Sequence, residues 1–331
     1  MIGAKMIYPA KLKPALKDNI WGGTRLVDEY GKQTNLSRVA ESWELSCHKD
    51  GLSVIAEGPS AGMTLAAYIA QEGRVVLGTK YEVGEGFPLL VKLIDAREDL
   101  SVQVHPGDEY ARRVEGENGK TEMWYIIDAE PGAELIYGFK QEISEAELES
   151  RIAAGTLLDV VNRVPVKRGD VFLIKAGTLH SIGAGILLCE IQQSSNTTYR
   201  VYDYGRVGAD GKPRELHVKK ALDVVERKRP MRGTEPQAIL HGLLHDADAE
   251  LLLSSDVFTA YHVSLHGILE MAEPLESFES ITVTDGSLII DAHDSDYQEL
   301  VRLTKGESVF LPAGMGAYAL SGSSEFVLSM G

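Results

Sequence analysis

The sequence predicts a mainly β protein that carries a few short helices. Short runs rich in apolar and β-branched residues recur along the chain, and Gly, Pro, Asp or Asn bounds each run, as is usual for antiparallel sheets. The 33 Gly and 12 Pro are dispersed without a collagen-like or linker-like period, which fits many short turns. The clearest predicted strands of the first part are residues 89–94, 101–104, 123–127, 170–174 and 185–191.

Helical patterns are confined chiefly to residues 64–72 and 144–154. In the second stretch, Ser144 followed by Glu147 resembles a capping box, in which both side chains accept hydrogen bonds from backbone N–H groups of the first turn. We expect these helices to decorate a β framework.

A charged stretch at residues 223–236, which includes Pro230 and Pro236, separates two strand-rich parts. It predicts a first domain over residues 1–228 and a second over residues 229–331. In the second part, four runs alternate apolar and polar residues, and their Gly and Asp-Gly positions are typical of hairpin turns. The second domain is therefore expected to be a small β-sandwich or barrel, built from residues 258–271, 280–292, 300–314 and 317–330.

One segment of the first part recurs in the second. Residues 169–180 align without a gap on residues 306–317, and both segments contain a turn glycine, a short buried strand and a second glycine turn. His180 of the first copy corresponds to Ala317 of the second. Any metal chemistry is thus expected in the first copy alone.

The composition excludes some classes of function. The chain has 331 residues, of which 44% are hydrophobic and 25% charged, enough for about two domains. Its net charge of -16 argues against nucleic acid as the main partner, because phosphate-backbone binding needs clustered Lys and Arg. The start of the chain lacks a signal-like apolar run, and no run approaches the roughly 18 apolar residues of a membrane span. Two cysteines, Cys47 and Cys189, indicate reduced thiols in a cytoplasmic protein.

A candidate metal site comes from four side chains in three segments. Gln103 and His105 are two apart in an extended run, so period-2 alternation sends both to one face of a sheet. Glu122 begins a later predicted strand, and His180 begins another after a glycine turn. Zinc accepts imidazole and carboxylate ligands, and a catalytic site leaves room for water or substrate. The four side chains meet this requirement if the strands bring them together.

Each of these residues also has an ordinary structural interpretation. His105 could end a strand before Pro106, Glu122 could pair with Lys120, and His180 could be a polar residue at a turn. The combination of Gln-x-His, Lys-x-Glu at a strand entry, and His after a glycine turn is far more specific than any one residue, and it favours a metal site.

At these segments the sequence resembles the type I mannose-6-phosphate isomerases. The resemblance covers most of residues 15–210 and is carried by residues 101–106, 120–124, 169–180 and 190–200. It implies two cupin-like jelly-roll β-barrels, one Zn²⁺ per chain bound by Gln103, His105, Glu122 and His180, and a sugar-phosphate substrate. The chain departs from the family where Lys175 replaces the proline usual in cupins and where Asn196 replaces a frequent aspartate.

The same resemblance implies the substrate and catalytic residues, six in all. Glu190 and Arg200 match active-site positions, and either Glu190 or a zinc-bound water is the expected base. The other four match residues that contact the substrate. The structural alternative for Lys120 and Arg200 is that they only neutralise Glu122 and Glu190, respectively. The alternative for Trp21 is that it only packs in the core. The four expected substrate contacts are Ser101, Lys120, Trp21 and Glu41.

The resemblance implies an aldose-ketose isomerase that interconverts mannose 6-phosphate and fructose 6-phosphate through an enediol. We expect it in the cytoplasm, as a monomer or homodimer. Two other classes of function compete with it: a sugar-binding regulator without chemistry, and an iron-dependent cupin dioxygenase. A sensor would not need the four metal ligands, and Gln103 departs from the histidine-rich set of the dioxygenases. His262 and His266 have no companion carboxylate at a suitable spacing and are expected to be structural.

Overall fold

A computed structural model describes residues 7–81, 86–208, 211–230, 238–244, 246–292 and 300–331, with only the backbone of residues 238–244. Among these residues it contains twenty strands and five α-helices. The strands are β1 Ala10–Lys13, β2 Ala15–Lys17, β3 Glu41–Ser46, β4 Val54–Ile55, β5 Leu89–Ala96, β6 Val102–Val104, β7 Glu122–Ala129, β8 Glu134–Phe139, β9 Val161–Pro165, β10 Val171–Ile174, β11 His180–Ile182, β12 Ile186–Gln193, β13 Tyr199–Tyr202, β14 Ala238–Leu244, β15 Ala247–Ser254, β16 Thr259–Met271, β17 Glu279–Asp291, β18 Val301–Thr304, β19 Ser308–Leu311 and β20 Tyr318–Met330. The prediction of a mainly β protein is confirmed.

Two antiparallel sheets form the part of the molecule that holds the predicted site. A six-stranded sheet has the order β10-β7-β12-β5-β3-β2, and a five-stranded sheet has the order β13-β6-β11-β8-β9. Apolar side chains of both sheets form one buried cluster, because alternate residues of each strand point to the same face. Its largest members include Trp124, Ile126 and Ile94 of the first sheet and Leu135, Tyr137 and Ile182 of the second.

The opposite face of the six-stranded sheet carries the other alternate residues. Met123 and Tyr125 of β7 and Cys189 of β12 belong to a second buried cluster, which also contains Phe258 and Phe310 of the C-terminal part. The two parts of the chain therefore share a core. Both cysteines are free thiols, in keeping with the predicted reduced state.

A nine-stranded antiparallel sheet contains the C-terminal strands. Its order is β14-β15-β16-β20-β17-β19-β1-β4, with β18 also paired to β17. The N-terminal strand β1 thus pairs with β19, with Ala10 opposite Phe310. The boundary at residues 228/229 stays a prediction, while β1 and β4 belong to the same sheet as the strands beyond it.

The predicted hairpin turn at Asp285-Gly286 is wrong. β17 runs through these residues without a turn, and its register against β20 shifts between Val283 and Asp285. Gly286 has φ 75°, a conformation that glycine adopts easily. Here it forms a bulge inside a long strand and not a turn between two strands. The predicted strands at residues 258–271 and 317–330 are confirmed as the long strands β16 and β20.

The two predicted helices are confirmed and three others were not predicted. The helices are α1 Arg25–Asp28, α2 Leu65–Glu72, α3 Asp108–Val114, α4 Glu145–Ala153 and α5 Val218–Val224, with 3-10 turns at Arg74–Leu77 and Leu157–Asp159. Thr64 caps α2 by accepting from the N–H of Ala67 at 3.1 Å, and Ser144 caps α4 by accepting from the N–H of Glu147 at 3.1 Å. The serine half of the predicted capping box is thereby present.

Within the described ranges, every helix is too short or too polar to cross a membrane.

Candidate active site

Three of the four predicted metal ligands lie at the ends of strands. Glu122 is the first residue of β7, His180 is the first residue of β11, and His105 directly follows β6. Strand ends free a side chain to turn toward a cavity while the strand itself fixes the backbone. Gln103 is inside β6, as its position in the extended run predicted.

Strand register places the site residues in rows. His180 lies opposite Gln103, and Gln103 lies opposite Arg200 on the other side of β6. Directly opposite residues project from the same face of an antiparallel sheet, with neighbouring Cβ atoms roughly 5 Å apart. A second row on the six-stranded sheet joins Lys92, Glu190 and Trp124. The predicted convergence of these segments is thus present in the fold.

The imidazoles of His105 and His180 meet the carboxylate of Glu122 in a buried cluster. One ligand atom from each residue lies within 4.8 Å of the others, and all three side chains are buried. The two Nε2 atoms are 3.1 Å apart, Glu122 Oε1 is 3.4 Å from His180 Nε2, and Glu122 Oε2 is 3.5 Å from His105 Nε2. This is the only such group of His, Cys, Asp or Glu side chains in the described part of the chain.

Hydrogen bonds fix which nitrogen of each histidine carries the proton. His105 Nδ1 contacts the carbonyl oxygen of Thr197 at 2.9 Å, and His180 Nδ1 contacts that of Thr178 at 2.8 Å. A carbonyl only accepts, so each Nδ1 donates. Burial lowers the pKa of His105 well below its usual value and the pKa of His180 to about 4. Both rings are therefore neutral near pH 7, with the Nε2 lone pairs directed into the cluster.

This donor set fits a divalent metal. Lys120 Nζ lies 3.1 Å from His105 Nε2 and the Gln103 amide nitrogen lies 3.4 Å from His180 Nε2, but Glu122 Oε1 is buried without a hydrogen-bond partner. Nε2 ligation with Nδ1 donating to a carbonyl is the usual arrangement of metal-binding histidines. Zinc accepts this mixed imidazole and carboxylate set.

Gln103 borders the cluster with its amide. Its Nε2 is 3.4 Å from His180 Nε2, and its Oε1 accepts a hydrogen bond from Ser101 Oγ at 3.3 Å. The carbonyl oxygen is the atom able to bind a cation, and a half-turn of the amide would direct it at the cluster while the NH2 group turns to Ser101 Oγ, which can accept. The structure therefore places Gln103 beside the predicted metal but leaves its ligand role a prediction.

A cavity of about 300 Å³ opens beside this cluster. Its wall contains seven of the ten predicted site residues, and the remaining three form the buried cluster just described. The polar character of the wall suits a polyol. The lining residues are Asn19, Trp21, Glu41, Lys92, Ile94, Leu100, Ser101, Gln103, Lys120, Ile182, Glu190, Asn196, Thr198, Arg200 and Arg214.

Two buried lysines line the cavity. Lys120 donates to Glu122, contacts His105 Nε2 at 3.1 Å and lies 4.0 Å from Glu190. Lys92 donates to Glu190 Oε1 at 2.9 Å and lies 3.7 Å from Glu41. The structural alternative for Lys120, that it pairs with Glu122, is therefore real, although Lys120 also lines the cavity.

The charges of these groups are strongly coupled. Burial raises the pKa of Glu190, but the charges of Lys120 and Lys92 and the hydrogen bond from Trp124 Nε1 outweigh it and lower the value to about 2. Burial and the charge of Glu190 raise the pKa of Glu122 to about 7. Burial lowers the pKa of Lys92, but Glu190 and Glu41 outweigh it and raise the value above its usual range. Glu190 is therefore an ionised carboxylate and Lys92 a permanent cation.

Hydrogen bonds orient the predicted substrate contacts at the cavity wall. Glu41 accepts from Asn19 Nδ2 at 2.8 Å and from Trp43 Nε1 at 2.7 Å, so its carboxylate is held in place. Trp21 is buried in the apolar cluster between the two sheets and also lines the cavity. Its packing role and its predicted substrate contact are therefore compatible.

Arg200 is not paired with Glu190. Its Nη1 donates to the backbone carbonyl of Glu215 at 3.1 Å, and its Nε is buried without a hydrogen-bond partner. Among the described residues, no carboxylate lies within 4.0 Å of its guanidinium. Burial and the charge of Arg214 lower the pKa of Arg200. The alternative in which Arg200 simply neutralises Glu190 does not match this geometry.

Sequence reasoning missed Lys92, Asn19, Thr198 and Arg214 of the cavity wall. Lys92 and Asp95 are the two charged residues of the otherwise apolar strand β5, and a charge in a buried run is a signal that could have identified Lys92. Arg214 lies in an irregular segment without a periodic pattern, so no sequence signal pointed to it. Asn196 does line the cavity and donates to Asp50 Oδ2 at 2.8 Å.

His262 has a carboxylate partner that its sequence neighbours did not reveal. Its ring stacks on Tyr125 with centroids 4.9 Å apart, and its Nε2 lies 3.6 Å from Glu325. Arg168 also binds Glu325. His262 thus belongs to a contact between the two parts of the chain, which agrees with a structural role but corrects the expectation that it has no companion carboxylate.

Comparisons with known proteins agree with this geometry. Residues 10–135 match the family model for the catalytic domain of type I phosphomannose isomerase, and residues 249–330 match that for the cupin domain of mannose-6-phosphate isomerase. A mannose-6-phosphate isomerase from Streptococcus mutans is 37% identical and covers 98% of this chain and of its own length. One from Bacillus subtilis is 40% identical and covers 97% of this chain and 98% of its own length.

Solved structures show the same likeness. The crystal structure of the mannose 6-phosphate isomerase from Bacillus subtilis has a TM-score of 0.89 at 37% identity and covers 97% of this chain and 99% of its own. A phosphomannose isomerase from Salmonella typhimurium shares the fold, with a TM-score of 0.75 at 15% identity, and covers 97% of this chain and 99% of its own. Sequence and fold together show that the chain belongs to the type I mannose-6-phosphate isomerase family, also called the phosphomannose isomerases.

Proposed function

We propose that this protein interconverts mannose 6-phosphate and fructose 6-phosphate, with one Zn²⁺ held by His105, Glu122, His180 and Gln103. The observation that carries the proposal is the convergence of two histidine lone pairs and an unpartnered buried carboxylate oxygen beside a polar cavity. The full-length relatives that bear the isomerase name support this reaction over a sensor or an iron dioxygenase.

The reaction moves a proton between C1 and C2 of the open-chain sugar through an enediol. A bound zinc ion would act as a Lewis acid on the substrate oxygens. Ser101 and Glu41 line the cavity and can hydrogen-bond sugar hydroxyls, since Glu41 is already fixed by Asn19 and Trp43. Arg200 projects from the row that contains His180 and Gln103, and its unpartnered Nε–H can stabilise negative charge that develops in the transition state.

Glu190 is our candidate among the side chains for the proton-transferring base. It is ionised, lines the cavity and lies 4.0 Å from Lys120. Its pKa of about 2 makes it a weak base while both lysines contact it. We therefore expect proton transfer to Glu190 to require that the substrate draw Lys92 or Lys120 away from it.

The cellular setting follows from composition and from the same site. We propose a cytoplasmic enzyme, a monomer or homodimer, that acts on a small sugar phosphate rather than on nucleic acid or a membrane. The net charge of -16 and the two free thiols support this setting. We keep the division into a catalytic domain at residues 1–228 and a second β domain at residues 229–331 as part of the proposal.

The test is steady-state conversion of mannose 6-phosphate by the purified protein, before and after chelation and after zinc is restored. We expect turnover that disappears on chelation and returns with zinc. The matched control is mannose without phosphate, which should be a poor substrate. A zinc-loaded protein that binds mannose 6-phosphate without converting it would contradict the proposal in favour of a sensor.

A further inference from the structure

One loop at the cavity wall carries the carbonyl oxygen that orients His105. Residues 194–198, which we call the His105 loop, connect β12 to β13. The carbonyl oxygen of Thr197 accepts from His105 Nδ1 at 2.9 Å, and Asn196 and Thr198 of the same loop line the cavity. Because the loop lies between the two strands, its shape depends on the side chains that bind it rather than on a strand ladder.

Glu117 binds the His105 loop at two adjacent residues. Its Oε2 accepts from the backbone N–H of Asn196 at 3.3 Å and from Thr197 Oγ1 at 3.1 Å. The second bond is made by the residue whose carbonyl meets His105. On the other side of Thr197, strand β13 begins at Tyr199, which pairs with Val104, the neighbour of His105. Glu117 and β13 thus hold the Thr197 carbonyl from both directions.

The carboxylate of Glu117 is itself held in place. Its Oε1 accepts from Lys49 Nζ at 2.9 Å and lies 3.6 Å from His48 Nε2. Burial raises the pKa of Glu117, but the hydrogen bonds from Lys49, Asn196 and Thr197 outweigh burial and lower it. Glu117 is therefore ionised near pH 7, and a charged acceptor makes stronger hydrogen bonds than a neutral one.

A second carboxylate in the same segment has different partners. Glu115 lies two residues before Glu117, and its Oε1 accepts from Tyr199 Oη at 2.8 Å and from Lys220 Nζ at 2.7 Å. In the described part of the chain, the side chain of Glu115 makes no hydrogen bond to residues 194–198. The two glutamates therefore separate a contact with the His105 loop from an ordinary contact with the neighbouring strand.

We propose that Glu117 is a positioning residue of the metal site, which acts on His105 through Thr197. The proposal rests on the proposed function and deepens it. A carbonyl that accepts from Nδ1 sets the orientation of a ligand histidine and leaves the Nε2 lone pair to the metal. Without Glu117 the Thr197 carbonyl is free to move, so the ring of His105 can rotate and its proton can shift to Nε2. His180 donates to Thr178, which lies outside the His105 loop, and should be unaffected.

The experiment measures the Kd for Zn²⁺ by competition with a chromogenic chelator. Outer partners of metal ligands contribute about tenfold to a hundredfold in affinity, and Glu117 acts one contact further out. We therefore expect Glu117→Ala to raise the Kd about tenfold. Glu117→Gln should raise it only about threefold, because a neutral acceptor keeps roughly half of the hydrogen-bond strength. The matched control Glu115→Ala should keep the wild-type Kd. If Glu117→Gln binds zinc as weakly as Glu117→Ala, the charge alone acts on the metal and the proposal is wrong.

A second measurement needs no metal. Nitrogen NMR of labelled histidine in the chelated protein reports which ring nitrogen carries the proton. We expect His105 to be protonated at Nδ1 in the wild type and in Glu115→Ala, and to shift toward the Nε2–H form in Glu117→Ala, while His180 stays unchanged in all three. Either an unchanged Kd for zinc or an unchanged His105 spectrum in Glu117→Ala would overturn the proposal. A wild type that binds no zinc would contradict the proposed metal site as well, whereas zinc binding that Glu117→Ala does not alter contradicts this proposal alone.

Discussion

The same twelve-residue unit occurs at residues 169–180 and 306–317, and only one copy belongs to the candidate active site. Gly169 and Gly306 both have φ 86°, and each is followed after one residue by a four-residue strand, β10 or β19. The second glycines, Gly177 and Gly314, have φ 88° and 75°. His180 then begins β11 in the first copy, whereas Ala317 precedes β20 in the second.

The surroundings of the two copies differ more than their backbones do. The first copy directs His180 at His105 and Glu122, in a buried polar cluster. The second copy contributes Val309, Leu311 and Met315 to an apolar core. Both copies pack apolar side chains, among them Phe172 and Ile174 of the first copy, but only the first copy also supplies a side chain for chemistry. This difference depends on whether polar side chains from other strands meet the unit, which is why fold alone does not establish function.

The largest expected effect is the loss of bound zinc and of activity when a histidine of the buried cluster in the first part is replaced. His180→Ala or His105→Ala removes one of two facing Nε2 ligands, so we expect less than one tenth of the wild-type zinc content and no measurable turnover. Metal analysis and the isomerase assay measure this, with His262→Ala as the matched change in the C-terminal part. Stoichiometric zinc in either variant of the first copy would show that the removed histidine is not a ligand.

Arg200→Ala tests whether the row beside His180 acts on catalysis. If its cation stabilises charge that appears only in the transition state, kcat and kcat/KM should both fall on the order of a hundredfold while zinc content stays normal. A rise in KM alone would mean that Arg200 binds the substrate equally in the ground and transition states. Unchanged constants would leave it a structural residue.

The two turn glycines should differ in how they tolerate a side chain. Alanine at either position is strained at φ 86°, which costs about 1 to 2 kcal/mol. A Cβ on Gly306 would also lie 2.4 Å from the carbonyl oxygen of Tyr30, whereas one on Gly169 would meet nothing within 4 Å. Gly306→Ala should therefore lower the free energy of unfolding by at least about 1 kcal/mol more than Gly169→Ala. Equal losses in denaturant unfolding would contradict this packing difference.

The smallest effect is a pH dependence at the contact between the two parts. Burial lowers the pKa of His262 below its usual 6.5 and outweighs the attraction of Glu325 and Glu250, while Arg168 adds to the lowering. Below pH 6.5 the unfolded chain takes up a proton that folded His262 does not, so stability present above pH 6.5 is lost as the pH falls. In unfolding curves between pH 7 and 5, His262→Gln should lose less free energy of unfolding than the wild type as the pH falls. If the variant loses as much as the wild type, His262 does not cause this pH dependence.

Much of the site could be predicted because its signals are local. Gln103, His105, Glu122 and His180 each stand at a strand or at its end, where period-2 alternation and turn glycines fix the direction of a side chain. The fold class followed from the same short runs. The resemblance to a family then supplied roles that spacing alone did not.

Other features depend on long-range pairing that no local pattern contains. The pairing of β1 with β19 joins residues about 300 positions apart, so nothing in the segment around Ala10 predicted its sheet. The orientation of Arg214 arises from Asp203 across an irregular segment. The bulge at Gly286 and a hairpin turn share one sequence signal, an Asp-Gly pair, and only the pairing with β20 distinguishes them.

The proposed ligand set is tested by the position of the metal in a crystal of the zinc-loaded protein, located by anomalous scattering at the zinc edge. We expect a single peak per chain, about 2.0 to 2.2 Å from Nε2 of His105, Nε2 of His180 and an oxygen of Glu122. A peak elsewhere in an active crystal, for example beside His262 and Glu325, would contradict it.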